Sequence, residues 1–386
     1  MCVMISAANG FRTIKTLLRR YQEMRVTSVS QLLILPLAAL LFSCGGGQQA
    51  VQEQVVPIAV ADTVDFPECK TVKIRLRNAA KLSTLPVVDS VMFDESVEKF
   101  IGEPAIVVVK GDTIFAVDVR KAPGIYAYRR DGSQLFAYTS TGQGPEDFMI
   151  LSDLHVSPTE ISAFDRPSNH LFVIDKQGNF KERIWTPTYT LAAFKGEKGD
   201  IWVDFSNLES DDGVQLAWAP PVERTDSMIE VRAVPESMRG IMSTDLQTFI
   251  RLDTDEVIYH PAFERYIFTV KDGKIAKRYD MDFGDLWWDD EKMASVASSN
   301  AWARLLPDFP IQPFYVQENQ KWLVLNFRAN RENYYCYFYD KESNQGRIFV
   351  DDTGKYMAVK DVVGDEIFLH RLLDNNLDII SIADIF

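Results

Sequence analysis

Ile106-Val107-Val108-Val109-Lys110-Gly111-Asp112-Thr113-Ile114-Phe115-Ala116-Val117-Asp118 decides the fold, read together with Ile125-Tyr126-Ala127-Tyr128-Arg129-Arg130-Asp131-Gly132 and Gln134-Leu135-Phe136-Ala137-Tyr138. The first four residues are a short apolar run rich in β-branched side chains. Lys110-Gly111-Asp112 is a turn. Thr113 to Asp118 is a second strand, Ile125 to Tyr128 a third and Gln134 to Tyr138 a fourth, with Asp131-Gly132 as the turn between the last two. Four short strands joined this way form an antiparallel meander, the unit of one propeller blade.

The unit recurs. Ile161-Ser162-Ala163-Phe164-Asp165 matches the second strand, Leu171 to Asp175 the third and Gln177-Gly178 the turn. Asp118 to Asp165 is 47 residues, and Gly132 to Gly178 is 46. A step of this size, shared by two landmarks, is the period of propeller blades. Val257 to Tyr259, Tyr266 to Val270 and Asp272-Gly273 form another copy, 95 residues beyond Gly178, which leaves room for one blade between. Ile201 to Asp204 and Met228 to Val231 fit that blade. Trp322 to Asn326 and Tyr334 to Phe338 begin a fifth. Tyr356 to Val359, Glu366 to Leu369 and Leu377 to Ile380 give a last unit one strand short. Thr71 to Leu76 is the N-terminal strand expected to complete it and close the ring, leaving no sheet edge open. The sequence thus predicts an all-β fold, a six-bladed β-propeller over 69–386. A short helical insertion is expected near 285–306, carrying Trp287 and Trp288. A pair of β-sandwiches is the rival architecture; it does not account for a matched step.

The N-terminal end has a different character. Arg25 precedes an apolar run from Leu32 to Phe42, closed by Ser43-Cys44-Gly45. That order is a signal peptide. The run is short and broken by Pro36, so it is a poor membrane span. Its Leu41-Phe42-Ser43-Cys44 ending resembles a bacterial lipobox, in which the Cys is acylated and becomes the first mature residue. Residues 1–43 are read as an upstream extension, ahead of Met24, plus this lipoprotein signal. Residues 44–68 are read as a lipidated flexible tether. The expected address is the cell envelope, lipid-anchored, with the outer membrane preferred because Gly45 is not acidic.

The chain carries 41 Lys and Arg against 55 Asp and Glu, a formal charge of −14, and −18 once residues 1–43 are set aside. Such a charge repels nucleic-acid phosphates. Of four Cys, only Cys69 and Cys336 remain in the domain. Neither a Cys-x-x-Cys nor a His-Glu-x-x-His pattern is present, and no Gly-x-Ser-x-Gly elbow. No catalytic residue, metal site or cofactor is expected.

Propeller topology places the loop between second and third strands, and the loop leading to the next blade, on one face. The turns at Gly132, Gly178 and Gly273 fall on the other. Candidate ligand-binding residues on the first face are Arg120, Arg166, Asn169, His260, Arg265 and Arg328. Converging Arg forks suit an anionic or polyhydroxyl ligand. Gln143, Glu146 and Asp147 join them from an inter-blade loop. Strand-end capping and mutual pairing is the alternative role for these side chains. For Trp287 and Trp288 the alternatives are stacking on a sugar ring or pinning the insertion.

That inter-blade loop, Gly142-Gln143-Gly144-Pro145-Glu146-Asp147-Phe148, resembles the Gly-Gln-Gly-Pro-Gly-Glu-Phe motif of TolB-like six-bladed propeller lipoproteins of Bacteroidetes. Glu146-Asp147 replaces the usual Gly-Glu. The resemblance covers about 70–386. It implies the propeller and the envelope compartment, and no particular activity.

The functions consistent with these features are three. The first is a non-catalytic, membrane-anchored binding module holding a glycan, a peptide or an envelope protein, as a monomer. The second is a propeller hydrolase or lactonase with a channel metal, for which Asp118, Asp165, Asn169 and Asn326 are conceivable donors. The third is a structural scaffold of an envelope complex.

Overall fold

The computed structural model describes residues 66–205, 213–221, 228–241, 248–252, 256–299, 308–331, 333–371 and 376–386. Residues 1–65, which include the stretch read as a signal peptide, Cys44 and most of the expected tether, and the end of the insertion at 300–307 lie outside them. Six antiparallel sheets follow one another along the chain. Blade 1 comprises Ile106–Lys110, Thr113–Asp118, Gly124–Arg129 and Gln134–Tyr138. Blades 2 to 5 span 151–185, 192–233, 249–282 and 311–350, and blade 6 uses Tyr356–Val363, Glu366–Arg371 and Leu377–Ser381.

Side-chain parity assembles the ring. Ile114, Ala116, Tyr126 and Tyr128 point one way and pack on Phe368, Leu377 and Ile379 of blade 6. Their neighbours Phe115, Val117, Ile125 and Ala127 point the other way, onto Leu151, Ile161 and Phe172 of blade 2. Period-2 alternation therefore buries both faces of a blade, each against a different neighbour. That explains why the strands read as continuous apolar runs.

The closing strand differs from expectation. Val87–Val91, not Thr71 to Leu76, pairs antiparallel with Leu377–Ser381 and completes blade 6. Lys70–Lys73 instead lies parallel along Lys274–Asp282, the outer strand of blade 4. Ala80–Lys81 lies parallel to Gln345–Val350, the outer strand of blade 5. The N-terminal segment is thus a belt that covers the outer edges of blades 4, 5 and 6 in turn before blade 1 begins. Residues 71–76 have the alternation of a strand, and both candidate strands satisfy it; only the path around the rim separates them.

The hairpin glycines adopt the left-handed backbone that their turns require: φ is +84° at Gly132, +86° at Gly178 and +72° at Gly273. A Cβ at Gly132 would lie 1.8 Å from the Met92 carbonyl oxygen, so the turn also admits the segment leaving the closing strand. The insertion holds helix α1 (Asp290–Ser299) after a 3-10 turn at Gly284–Leu286. Cys69 is exposed and Cys336 buried, and both are free thiols. Among the described residues no helix is long and apolar enough to cross a membrane.

Candidate functional site

The repeated Asp at the end of a second strand has a structural role. Asp118 is fully buried and accepts five backbone amides, from Gly102, Glu103, Arg120, Lys121 and Ala122, at 2.7–3.1 Å. Asp165 accepts the amides of Met149 and Ile150 and the Ser168 hydroxyl. Each carboxylate staples the second-to-third loop to the segment entering its own blade. Their lone pairs are spent on the loops, which answers why this position is repeatedly acidic. Asn326 binds the Tyr335 carbonyl and Cys336 Sγ through its amide. Asn169 caps a turn at φ +54°, with its carbonyl accepting the Thr186 amide.

Blade 3 carries an acid at the same position. Asp204, in the same place, is buried and receives the Tyr259 hydroxyl of blade 4 at 2.7 Å. Close to it in the electrostatics is Asp153, on the innermost strand of blade 2 (Leu151–Val156). The register of that strand slips between Ser152 and His155, and Asp153 sits in the resulting bulge at φ +60°. Only 1% of it is exposed, and apart from the neighbouring Thr248 amide its carboxylate has no hydrogen-bond partner among the described residues. Burial raises its pKa well above the ordinary carboxylate value. The Thr248 amide opposes the shift, Asp204 adds to it and Arg166 opposes it. Backbone strain and under-satisfied polarity in one residue are costs that a fold tends to keep at functional positions.

A mutation isolates that cost. With a raised folded-state pKa, the stabilising form of Asp153 is the protonated one. Its contribution is full below the ordinary carboxylate value and is lost as pH rises through the folded value, by up to about 1.4 kcal/mol per pH unit. Asp153→Asn tolerates the left-handed backbone and never ionises. It should match wild type at pH 4 and melt several degrees higher at pH 8. Thermal melts at both pH values read this out. A lower melting temperature for the variant at pH 8 would contradict it.

A polar network leads outward from Asp204. Arg232 forms a two-point pair with Glu264, at 2.6 and 2.8 Å, and donates to Gln215. His260 Nε2 lies 3.1 Å from the Glu264 carbonyl, and burial pushes its pKa down to about 4. Arg232 and Glu264 then line a groove of about 360 Å³ on the same face, with Phe263, Arg265, Tyr266, Lys277, Trp287 and Trp288. Trp287 stacks on Phe283 at 5.6 Å and meets Phe309 edge-on at 4.8 Å; Trp288 meets Phe309 at 5.4 Å. Both indoles pin the insertion and remain partly exposed along the groove.

The remaining candidates are dispersed. Arg265 forms two 2.7 Å bonds to Asp280 and borders the groove. Arg166 is half-buried, its pKa lowered by burial against the pull of Asp153 and Asp204. Arg120 is exposed on blade 1. Arg328 lies within the blade 5 strand Trp322–Ala329 and donates to the Arg331 carbonyl. Gln143 and Glu146 are exposed, whereas Asp147 turns inward to Ser140 Oγ at 2.7 Å and the Gly144 amide at 2.9 Å. A Cβ at Gly144 would lie 2.8 Å from that carboxylate, so this glycine makes room for the Asp147 staple. Asp153, Asp204, Tyr259 and Arg232 were not among the sequence candidates. Asp204 alone carried a signal, sitting where Asp118 and Asp165 sit.

The sequence profile of one family, described as domain of unknown function DUF4934, matches residues 81–376. The chain belongs to the DUF4934 family. No curated protein matches it. Among solved structures, this DUF4934 chain is similar to a protein of Bacteroides fragilis NCTC 9343 whose name marks it as exported. That match has 16% identity and a TM-score of 0.63, covering 78% of this chain and 88% of that one. A member of the DUF4221 family from Bacteroides vulgatus ATCC 8482 gives 10% identity and a TM-score of 0.52, covering 77% and 97%. At these identities the likeness is one of fold.

Proposed function

We propose that this DUF4934 protein is a lipid-anchored, non-catalytic binding module of the cell envelope, akin to TolB-like propeller lipoproteins. It holds its ligand or partner on the face bearing the second-to-third loops. The observation that carries the reading is the groove on that face, where aromatic and polar side chains from blades 3 and 4 and the insertion converge. Support for the anchor comes from the Arg25-to-Cys44 leader. Acyl chains contribute roughly 0.8 kcal/mol per buried CH₂, which an acidic domain needs in place of attraction to anionic lipid.

Two measurements test it. Labelled palmitate should enter the protein, and Cys44→Ala should remove the label; equal labelling of the variant sinks the anchor. A photo-crosslinking amino acid at Arg120, Asn169 or Arg265 should capture ligand on intact cells, while one at Lys176 or Lys271 on the opposite face should not. Equal capture from both faces, or none from the loop face, sinks the binding assignment.

A further inference from the structure

We propose, resting on that reading, that the groove beside α1 is a glycan site and that its ligand is a neutral sugar rather than an anion. A ring of Arg residues in the sequence suits either class. The geometry separates them, because the cations of this groove already have partners. Arg232 is paired with Glu264 and Arg265 with Asp280, each through two hydrogen bonds. Lys277 lies over the Tyr266 ring at 3.5 Å and Lys292 over Trp288 at 5.2 Å. The acids Asp289 and Asp290 add negative charge at the rim. An arriving carboxylate or sulfate would therefore meet little uncompensated positive field and would have to break existing pairs. A hydroxyl-bearing ring asks for less. It can share hydrogen bonds with the free lone pairs and N–H groups of paired side chains, and set its C–H face against an indole.

The dimensions agree. About 360 Å³ lies in the range of small-molecule sites, roughly 300–1,000 Å³. The floor is apolar, with Met238 and Met293 buried and Phe263 partly so, which suits sugar C–H groups. The walls come from four separate segments: Arg232 to Met238, Phe263 to Tyr266, Lys277, and Trp287 to Met293. Ser237 Oγ bonds Asp290 Oδ1 at 3.0 Å across the groove and ties the helix to the blade 3 exit.

The test is a printed array of neutral, uronate, sulfated and amino glycans probed with the whole mature protein. Calorimetry with the strongest neutral oligosaccharide follows. Wild type should bind neutral oligosaccharides in preference to acidic ones. Trp288→Ala should weaken binding at least tenfold. Trp288 also packs on Phe309, so Ser237→Trp, which fills the groove and removes only one exposed hydrogen bond, should abolish binding with the melting temperature retained. A preference for polyanions, no glycan binding at all, or undiminished binding by both folded variants would overturn the proposal. A protein that captures partners from the loop face on cells yet ignores neutral glycans loses this inference and keeps the binding-module assignment. One that captures nothing there loses the assignment.

Discussion

Asp118→Ala should lower folding stability by roughly 3–5 kcal/mol, seen as a fall in the urea midpoint with the slope unchanged. The buried carboxylate is the shared acceptor for five amides from two segments of blade 1, and alanine leaves those donors in a dry site. Gly102 adds a steric reason. A Cβ there would lie 2.6 Å from Lys121 Cβ and 3.1 Å from Asp118 Oδ2, so the two segments are wrapped tightly around the carboxylate. Asp118→Asn retains an acceptor on one side only and should fall between. A loss below about 1 kcal/mol would deny the stapling role. A calcium-dependent gain in stability present in wild type and absent in the variant would return Asp118 to the metal-donor role that its repeated position first suggested.

That residue also shows what the sequence could carry. The 46–47 residue step was visible because each blade is built from local signals: alternation, a β-branched run and a glycine needing positive φ. All three survive translation along the chain. The position of Asp118 and Asp165 was visible for the same reason. Their role was not, since it depends on loops that approach from sixteen residues upstream. Ring closure failed in detail on similar grounds. Lys70–Lys73 and Val87–Val91 are both short alternating strands, and edge pairing with strands more than two hundred residues away decides between them. The groove was half-visible. Arg265, Trp287 and Trp288 could be named and placed on one face. Arg232 could not, because it projects from a blade 3 strand with no motif around it. Asp153 was invisible: Leu-Ser-Asp-Leu-His-Val reads as an ordinary edge of a strand, and only the slipped register turns its carboxylate into a buried one with raised pKa.

Acid should destabilise the propeller well before its ordinary surface carboxylates titrate. His155 and His260 are 4% and 6% exposed. Burial pushes His155 down to about 3, with Arg251 adding to the shift and the Ala193 carbonyl opposing it. Burial takes His260 down to about 4, opposed by the Glu264 carbonyl. His155 also packs edge-on against Phe194 at 4.8 Å, and its Nε2 has no hydrogen-bond partner, so the ring is accommodated as a neutral aromatic. A histidine with a depressed folded-state pKa binds protons more weakly folded than unfolded. Its contribution is full above the unfolded value of about 6.5 and is lost as pH falls from there toward 4 and 3. Between pH 6.5 and 5 the two together should cost about 3–4 kcal/mol. Asp153 acts in the opposite sense, gaining stability as pH falls through its raised value, so the net slope measures the histidines against it. His155→Phe keeps the aromatic contact and removes the titration; His260→Gln keeps a polar partner for Glu264. Each should flatten the stability profile between pH 7 and 5 by about half, measured from urea midpoints, and profiles parallel to wild type would show that neither ring is held neutral by the fold. The Glu264 carbonyl that holds His260 belongs to the residue whose carboxylate anchors Arg232 in the groove, so His260→Gln also asks whether the groove depends on this loop. If it does, glycan affinity in wild type should decline as pH falls toward about 4, where His260 of the folded protein becomes protonated, and the variant should lose that decline.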